Sequence, residues 1–265
     1  MPHMSIGELD MHYVDQGEGD VLLLCPENLH AASAYEGEID YFSERVRVIA
    51  FDYPGTGQST RERLYEDERI FDQWNFWADL ASHLLLDLGV KACTVLGAGY
   101  GAWVALHFAG KQAALHRLDV QGVIADSFLA QVDSRTLHRS LDMREHYYVR
   151  RVEWLRKQHG EDWREVVDAD TAYLRLLADR GGYAVPDFVL NSIHCPVLLT
   201  GTLHDALTPG IAQEFARISS IVPDCSLYLA SESHHRYGDE HPLMWTAPET
   251  FRAVADLFLS RVSAE

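Results

Sequence analysis

The segment Val95-Leu96-Gly97-Ala98-Gly99-Tyr100-Gly101-Ala102 has the spacing of a turn built to present a reacting group. An apolar, strand-like run ends at Leu96 and a helical pattern begins near Ala102, so the turn between them must be tight. In a G-x-S-x-G turn the outer glycines let strand and helix approach closely, while a strained central serine projects its hydroxyl above the sheet. Gly97 and Gly101 meet the outer requirement, but the central position is Gly99, which has nothing to project. Covalent acyl transfer needs a nucleophilic oxygen at that point. Its simplest replacement is water, and the volume opened by glycine suits an ordered water if polar groups line it. Cys25, at the end of the apolar run 21–25, is the other nucleophile expected to face the same pocket, although no base is placed against it by sequence. The cluster His234, His235, Asp239 and His241 lacks the helical i, i+4 spacing or the strand-spaced pair of a metal site, so no metal is expected.

These residues need a scaffold, and the chain reads as one. Short apolar runs at 21–25, 46–51, 92–96, 120–125, 196–201 and 226–230 alternate with longer segments of helical period. Most of the runs are apolar throughout, as expected of strands covered on both faces. The alternating stretch 7–15 followed by Gln-Gly-Glu-Gly-Asp reads as an antiparallel edge hairpin. Helices are expected over 72–88, stopped by Gly89, and over 248–262. The region 128–186, rich in Arg, Glu, Tyr and Trp, reads as several helices without a strand. The expected division is a core of 1–127 and 187–265 with a helical lid of 128–186, and lids shape small-molecule pockets. Tyr147, Tyr148, Trp154 and Trp163 in that lid suit either substrate contact or helix packing.

The order of elements, the turn at 97–101 and Asp52-Tyr53-Pro54-Gly55-Thr56-Gly57-Gln58-Ser59 resemble the α/β-hydrolase superfamily over essentially the whole chain. The likeness is nearest to small lidded members, the valacyclovirase-like esterases and the meta-cleavage C–C hydrolases. It implies an α/β-hydrolase fold: a mostly parallel central sheet flanked by helices, with the lid inserted. It also implies the chain order nucleophile, acid, histidine. Gly201 followed by Asp205 and Pro209 matches the family's acid neighbourhood, which makes Asp205 the acid, with Asp126 in reserve at the end of the run 120–125. Counting back from the final helix selects His241 as the histidine, and counting forward from 226–230 selects His235 instead; His241 is preferred because the run 241–251 looks family-like as a unit. The family's His-Gly oxyanion loop is replaced by Cys25-Pro26-Glu27-Asn28, leaving the N–H groups of Glu27 and Tyr100 as candidate donors. A Glu27 carboxylate pointing inward would repel an oxyanion, whereas a protonated one would donate a hydrogen bond or act as an acid.

Three functional readings follow. The first is a divergent enzyme acting on a small apolar or aromatic substrate through a His241–Asp205 general-base dyad, by hydrolysis or by lyase- or cyclase-type proton abstraction. The cofactor-free dioxygenases of the family supply the precedent for such a dyad. The second is a non-catalytic binding or interaction protein on the same scaffold. The third, a serine-to-glycine knockout of an ordinary hydrolase, is opposed by the altered Cys25-Pro26-Glu27 loop. No cofactor is expected. With 40 acidic and 22 basic residues and a net charge of −18, nucleic acid and anionic membrane are poor partners, and a homodimer is compatible with the composition. The four cysteines show no zinc or redox spacing, and the first residues show no basic stretch followed by an apolar run, so a cytoplasmic protein is expected.

Overall fold

The computed structural model describes residues 2–61, 72–231 and 241–263, with the backbone alone at 145–147. The chain enters through β1 (His3–Ile6) and β2 (Leu9–Gln16), an antiparallel hairpin turned at Gly7. There follow β3 (Val21–Cys25), α1 (Glu36–Ser43), β4 (Arg47–Phe51), α2 (Gln73–Asp87), β5 (Ala92–Ala98), α3 (Gly101–Leu115) and β6 (Asp119–Asp126). The insert holds β7 (Gln131–Asp133), α4 (Ser134–Val149), α5 (Val152–His159), α6 (Trp163–Asp179) and β8 (Gly182–Ala184), and α7 (Asp187–Asn191) leads back to the core. The core resumes with β9 (Val197–Thr202), α8 (Ile211–Ile221), β10 (Cys225–Ala230), α9 (Leu243–Thr246) and α10 (Pro248–Val262).

The main sheet has eight strands in the order β1-β2-β4-β3-β5-β6-β9-β10. The hairpin joins it antiparallel through β2 and β4, and every pairing from β4 to β10 is parallel. This is the mostly parallel, helix-flanked sheet of an α/β-hydrolase fold, as the family resemblance implies. Side chains of a strand alternate between faces, and β3 shows the consequence. Leu23 and Cys25 join the core beneath α2 and α3, with Trp74 and Trp103, while Leu22 and Leu24 join the core beneath α1 and α10, with Phe42 and Phe251. The chain turns one way from β3 to β4 and the other way to β5, so the crevice above the carboxyl ends of β3 and β5 lies at the switch point where open α/β sheets bind ligands.

The insert differs from expectation in one respect. It contains two three-residue strands, β7 and β8, paired antiparallel at its neck (Val132 opposite Tyr183). Elements this short carry too few residues for a period-2 pattern to be read. The insert is tied to the core loops by polar contacts. Gln158 Oε1 accepts from Ala31 N (2.9 Å), His159 Nδ1 from Gly57 N (2.9 Å), and Asp162 from Arg61 Nε (2.7 Å). A small apolar cluster of Leu29, Tyr148, Leu155, Val166 and Val167 closes the same interface. Among the described residues no helix is long and apolar enough to cross a membrane.

Candidate active site

The turn after β5 is as close as its glycines imply. A Cβ on Gly97 would fall 2.3 Å from Gly101 O, and one on Gly101 would fall 2.2 Å from Cys25 O. Only residues without a side chain fit there. Gly99 itself has φ +53°, the left-handed conformation of a presented residue. The space above it is not vacant. A Cβ built on Gly99 would lie 2.7 Å from Glu27 Cδ and 2.8 Å from Glu27 Oε1. The expectation of a water-sized opening at Gly99 is therefore corrected: the Glu27 carboxyl, reaching across from the loop after β3, occupies the place of the missing side chain.

His241 faces this carboxyl. Its Nδ1 is 2.7 Å from Asp205 Oδ2, and its Nε2 is 3.6 Å from Glu27 Oε1. Asp205 sits just past β9, buried, and its other oxygen accepts from Leu207 N (2.8 Å), so the carboxylate both shapes its own turn and holds the imidazole. Burial alone would drive the proton off His241, but the negative charges of Asp205 and Glu27 outweigh it and hold the imidazole protonated well above the ordinary histidine range. For Glu27 burial acts upward, and the charges of His241 and Arg144 outweigh it, holding the carboxyl below its ordinary value. Both shifts favour the charged forms, the Glu27 carboxylate against the His241 imidazolium.

Other expected site residues fall elsewhere. Cys25 does not face the pocket; it is fully buried among core residues on the α3 side, and burial pushes its thiol far above the ordinary range. Strand alternation decides this, since Cys25 points the same way as Leu23. The Glu27 N–H is not a free oxyanion donor, because it donates to Tyr35 Oη at 2.9 Å. Tyr100 lines the cavity as the residue preceding α3. Asp126 lies beneath the cavity rather than in its wall. Its Oδ1 accepts from Thr200 Oγ1 (2.8 Å) and Ser127 Oγ (3.1 Å), its Oδ2 from Met244 N (3.0 Å), and burial raises its carboxyl to about 6. Its position is that of an anchor for the turn that follows His241. His234, His235 and Asp239 lie outside the described residues, as does the side chain of Tyr147. Tyr148 lines the cavity, whereas Trp154 and Trp163 pack against the small apolar cluster under the insert.

The site opens into a cavity of about 890 Å³ between the core loops and the insert, a volume suited to a small molecule. His30, which sequence reading passed over, lines it 3.7 Å from Glu27 Oε2. Burial holds this imidazole neutral, with its proton affinity lowered to about 4. The Glu27-x-x-His30 spacing immediately after a buried strand was the signal available for it. Arg144, Arg150 and Arg151 also line the cavity.

Comparisons with known proteins agree with this architecture. The family model described as the Alpha/beta hydrolase family matches residues 28–254. A curated relative, (E)-2-((N-methylformamido)methylene)succinate hydrolase of Acinetobacter baylyi, is 47% identical over 63 residues, and the match spans 24% of this chain and 24% of that protein. A probable hydrolytic enzyme of Pseudomonas aeruginosa PAO1 superposes with a TM-score of 0.70 at 20% identity, over 96% of this chain and 91% of its own. A thermophilic esterase of Thermogutta terrifontis gives 0.70 at 19% identity, over 98% and 96%. The proline iminopeptidase of Mycobacterium smegmatis gives 0.70 at 18%, over 100% and 99%. At these identities the solved structures speak for the fold alone, while the family model covers most of the sequence, and on that ground the chain belongs to the alpha/beta hydrolase family.

Proposed function

We propose that the protein is a hydrolase in which a Glu27–His241–Asp205 relay replaces the serine triad. The observation that carries this reading is the Glu27 carboxyl in the space of the absent side chain, 3.6 Å from His241 Nε2. The sequence suggested His241 as general base, but an imidazole flanked by two carboxylates keeps its proton, so the roles are exchanged. Glu27 takes a proton from water as the water oxygen attacks the substrate carbonyl carbon. His241 gives its Nε2 proton to the leaving group as the bond to carbon breaks. The proton on Glu27 then passes to His241, restoring both groups. Asp205 fixes the imidazole through Nδ1 and stabilises its charged form. The curated relative bears a hydrolase's name, which supports hydrolysis over elimination or cyclisation.

The pH dependence of the rate separates this mechanism from a histidine base. Activity requires Glu27 ionised and His241 protonated. With the first group lowered and the second raised, the rate is level across neutrality and falls on the alkaline side as His241 loses its proton. A histidine base gives the opposite sign, with the rate rising on the alkaline side as His241 loses its proton. In p-nitrophenyl ester hydrolysis Glu27→Gln is expected to lower kcat by roughly 10²–10⁴-fold, the usual worth of a positioned base. It also moves the alkaline limb down, because one of the two charges holding the His241 proton is gone. A wild-type rate that rises on the alkaline side and survives Glu27→Gln sinks the assignment.

A second reading, a ligand-binding protein without turnover, is favoured by one observation: the Glu27 N–H is committed to Tyr35, removing one of the two expected oxyanion donors. Ligand binding with no hydrolysis of any activated ester at any pH would select it.

A further inference from the structure

The charge of the cavity does not follow that of the chain. Acidic residues outnumber basic ones by 40 to 22 overall. Among the described residues of the cavity wall, however, three carboxylates (Glu27, Asp142, Asp205) face three guanidiniums (Arg144, Arg150, Arg151) as well as the charged His241. The three arginines enter from one place, the last turns of α4 and its junction with α5, where Arg150 is the final cap of α4 and Arg151 the first cap of α5. Arg144 is immobilised. It pairs with Asp170 on α6, whose second oxygen accepts from Asn28 Nδ2 at 2.7 Å, and its guanidinium lies 5.3 Å from the centre of the Tyr148 ring.

Arg151 is connected to the reacting groups through rings. Its guanidinium lies 5.8 Å from the centre of the Trp154 ring, Trp154 meets His30 edge-on at 5.0 Å, and His30 Nδ1 stands 3.7 Å from Glu27. The positive charges of Arg144 and Arg151 both reach His30, and that of Arg144 reaches Glu27. The His30 Nδ1 itself is buried with no hydrogen-bond partner. Apolar side chains, Phe128, Leu129, Val132 and Met143, supply a further stretch of wall.

We infer that the substrate carries a carboxylate, held by Arg150 and Arg151 at the α4–α5 junction while its apolar body lies along Phe128, Leu129 and Val132. The carbonyl to be cleaved then reaches Glu27 and His241. Guanidinium forks match a carboxylate with two parallel charge-assisted hydrogen bonds, which gives orientation as well as affinity. The fixed Arg144–Asp170 pair keeps the neighbouring wall from collapsing onto the anion. This inference rests on the hydrolytic reading only for the position of the scissile group; the anion site itself is independent of turnover.

The test therefore has a binding arm and a kinetic arm, both on the full chain. In calorimetry, 4-phenylbutyrate is expected to bind at least tenfold more tightly than 4-phenylbutanol, and the difference is expected to vanish in Arg150→Gln/Arg151→Gln. In kinetics, kcat/KM for p-nitrophenyl hydrogen succinate is expected to exceed that for p-nitrophenyl acetate at least tenfold, through KM, and the ratio is expected to fall toward one in the same variant. Equal binding of the acid and the alcohol by the wild-type protein overturns the inference, whatever happens to the esters. Selective, arginine-dependent binding of the acid without turnover of either ester upholds the carboxylate site and removes only the hydrolytic mechanism.

Discussion

At position 99 the backbone has φ +53°, and a methyl group there would fall 2.7 Å from Glu27 Cδ. Glycine and glutamate therefore form a pair: the one makes the space and the other fills it. Restoring serine alone meets both a backbone cost of roughly 1–2 kcal/mol for a left-handed residue and the Glu27 carboxyl. Gly99→Ser is expected to lower the melting temperature and to remain unlabelled by a serine-directed fluorophosphonate. Gly99→Ser combined with Glu27→Gly removes the obstruction and is expected to take the label, read as an added mass on intact protein. Labelling of the single variant as fast as the double one would show that Glu27 does not hold the space. The same pairing explains why the loop and the turn depart from the family pattern together. A carboxylate beside an oxyanion hole would oppose catalysis, and here the hole's first donor, the Glu27 N–H, is given to Tyr35.

Among the elements, the turn through α9 decides where His241 stands. Asp126 at the end of β6 and Ser127 beside it bind the N–H groups of Met244 and Leu243, which open α9, and Thr200 of β9 binds the same carboxylate. The histidine is thus registered against the centre of the sheet, not carried on a free loop. Truncating Asp126 leaves buried donors unpaired, at about 1–3 kcal/mol for each such group. Asp126→Ala is expected to lose about 2–4 kcal/mol in urea denaturation, whereas Thr200→Val, which removes one donor together with its need, is expected to lose less. A loss under about 0.5 kcal/mol for Asp126→Ala, the range of ordinary surface changes, would mean that the α9 turn is held by other contacts.

For the molecule as a whole the net charge of −18 is the largest uncompensated quantity. Self-repulsion of this size disfavours the compact state and is screened by salt, since the Debye length falls from about 30 Å at 0.01 M to about 8 Å at 0.15 M. The melting temperature at neutral pH is therefore expected to rise with sodium chloride over that range. A flat or falling trend would mean that local pairs such as Arg47–Asp15, at 2.7 Å and partly exposed, outweigh the long-range term. Against this acidic background the α4–α5 junction brings Arg144, Arg150 and Arg151 to the cavity wall.

By itself the sequence determined the parallel strands, the helices over 72–88 and 248–262, the closeness of the turn at Gly97 and Gly101, and the absence of a nucleophile at Gly99. These are consequences of short-range rules: strand and helix periods, and the steric demands of one turn. The edge hairpin read at 7–15 instead turns at Gly7 and pairs His3–Ile6 with Leu9–Gln16. Only the tertiary structure decided what occupies the empty position and which proton state follows. Residues 27, 99, 205 and 241 lie on four separate connections and meet because the sheet brings their ends together. No local pattern says that a loop carboxylate reaches over a glycine, that Cys25 turns inward with Leu23, or that an imidazole sits between two carboxylates. The two short strands at the neck of the insert escaped for a related reason, since three residues hold too little periodicity to be read and are defined by the partner they pair with.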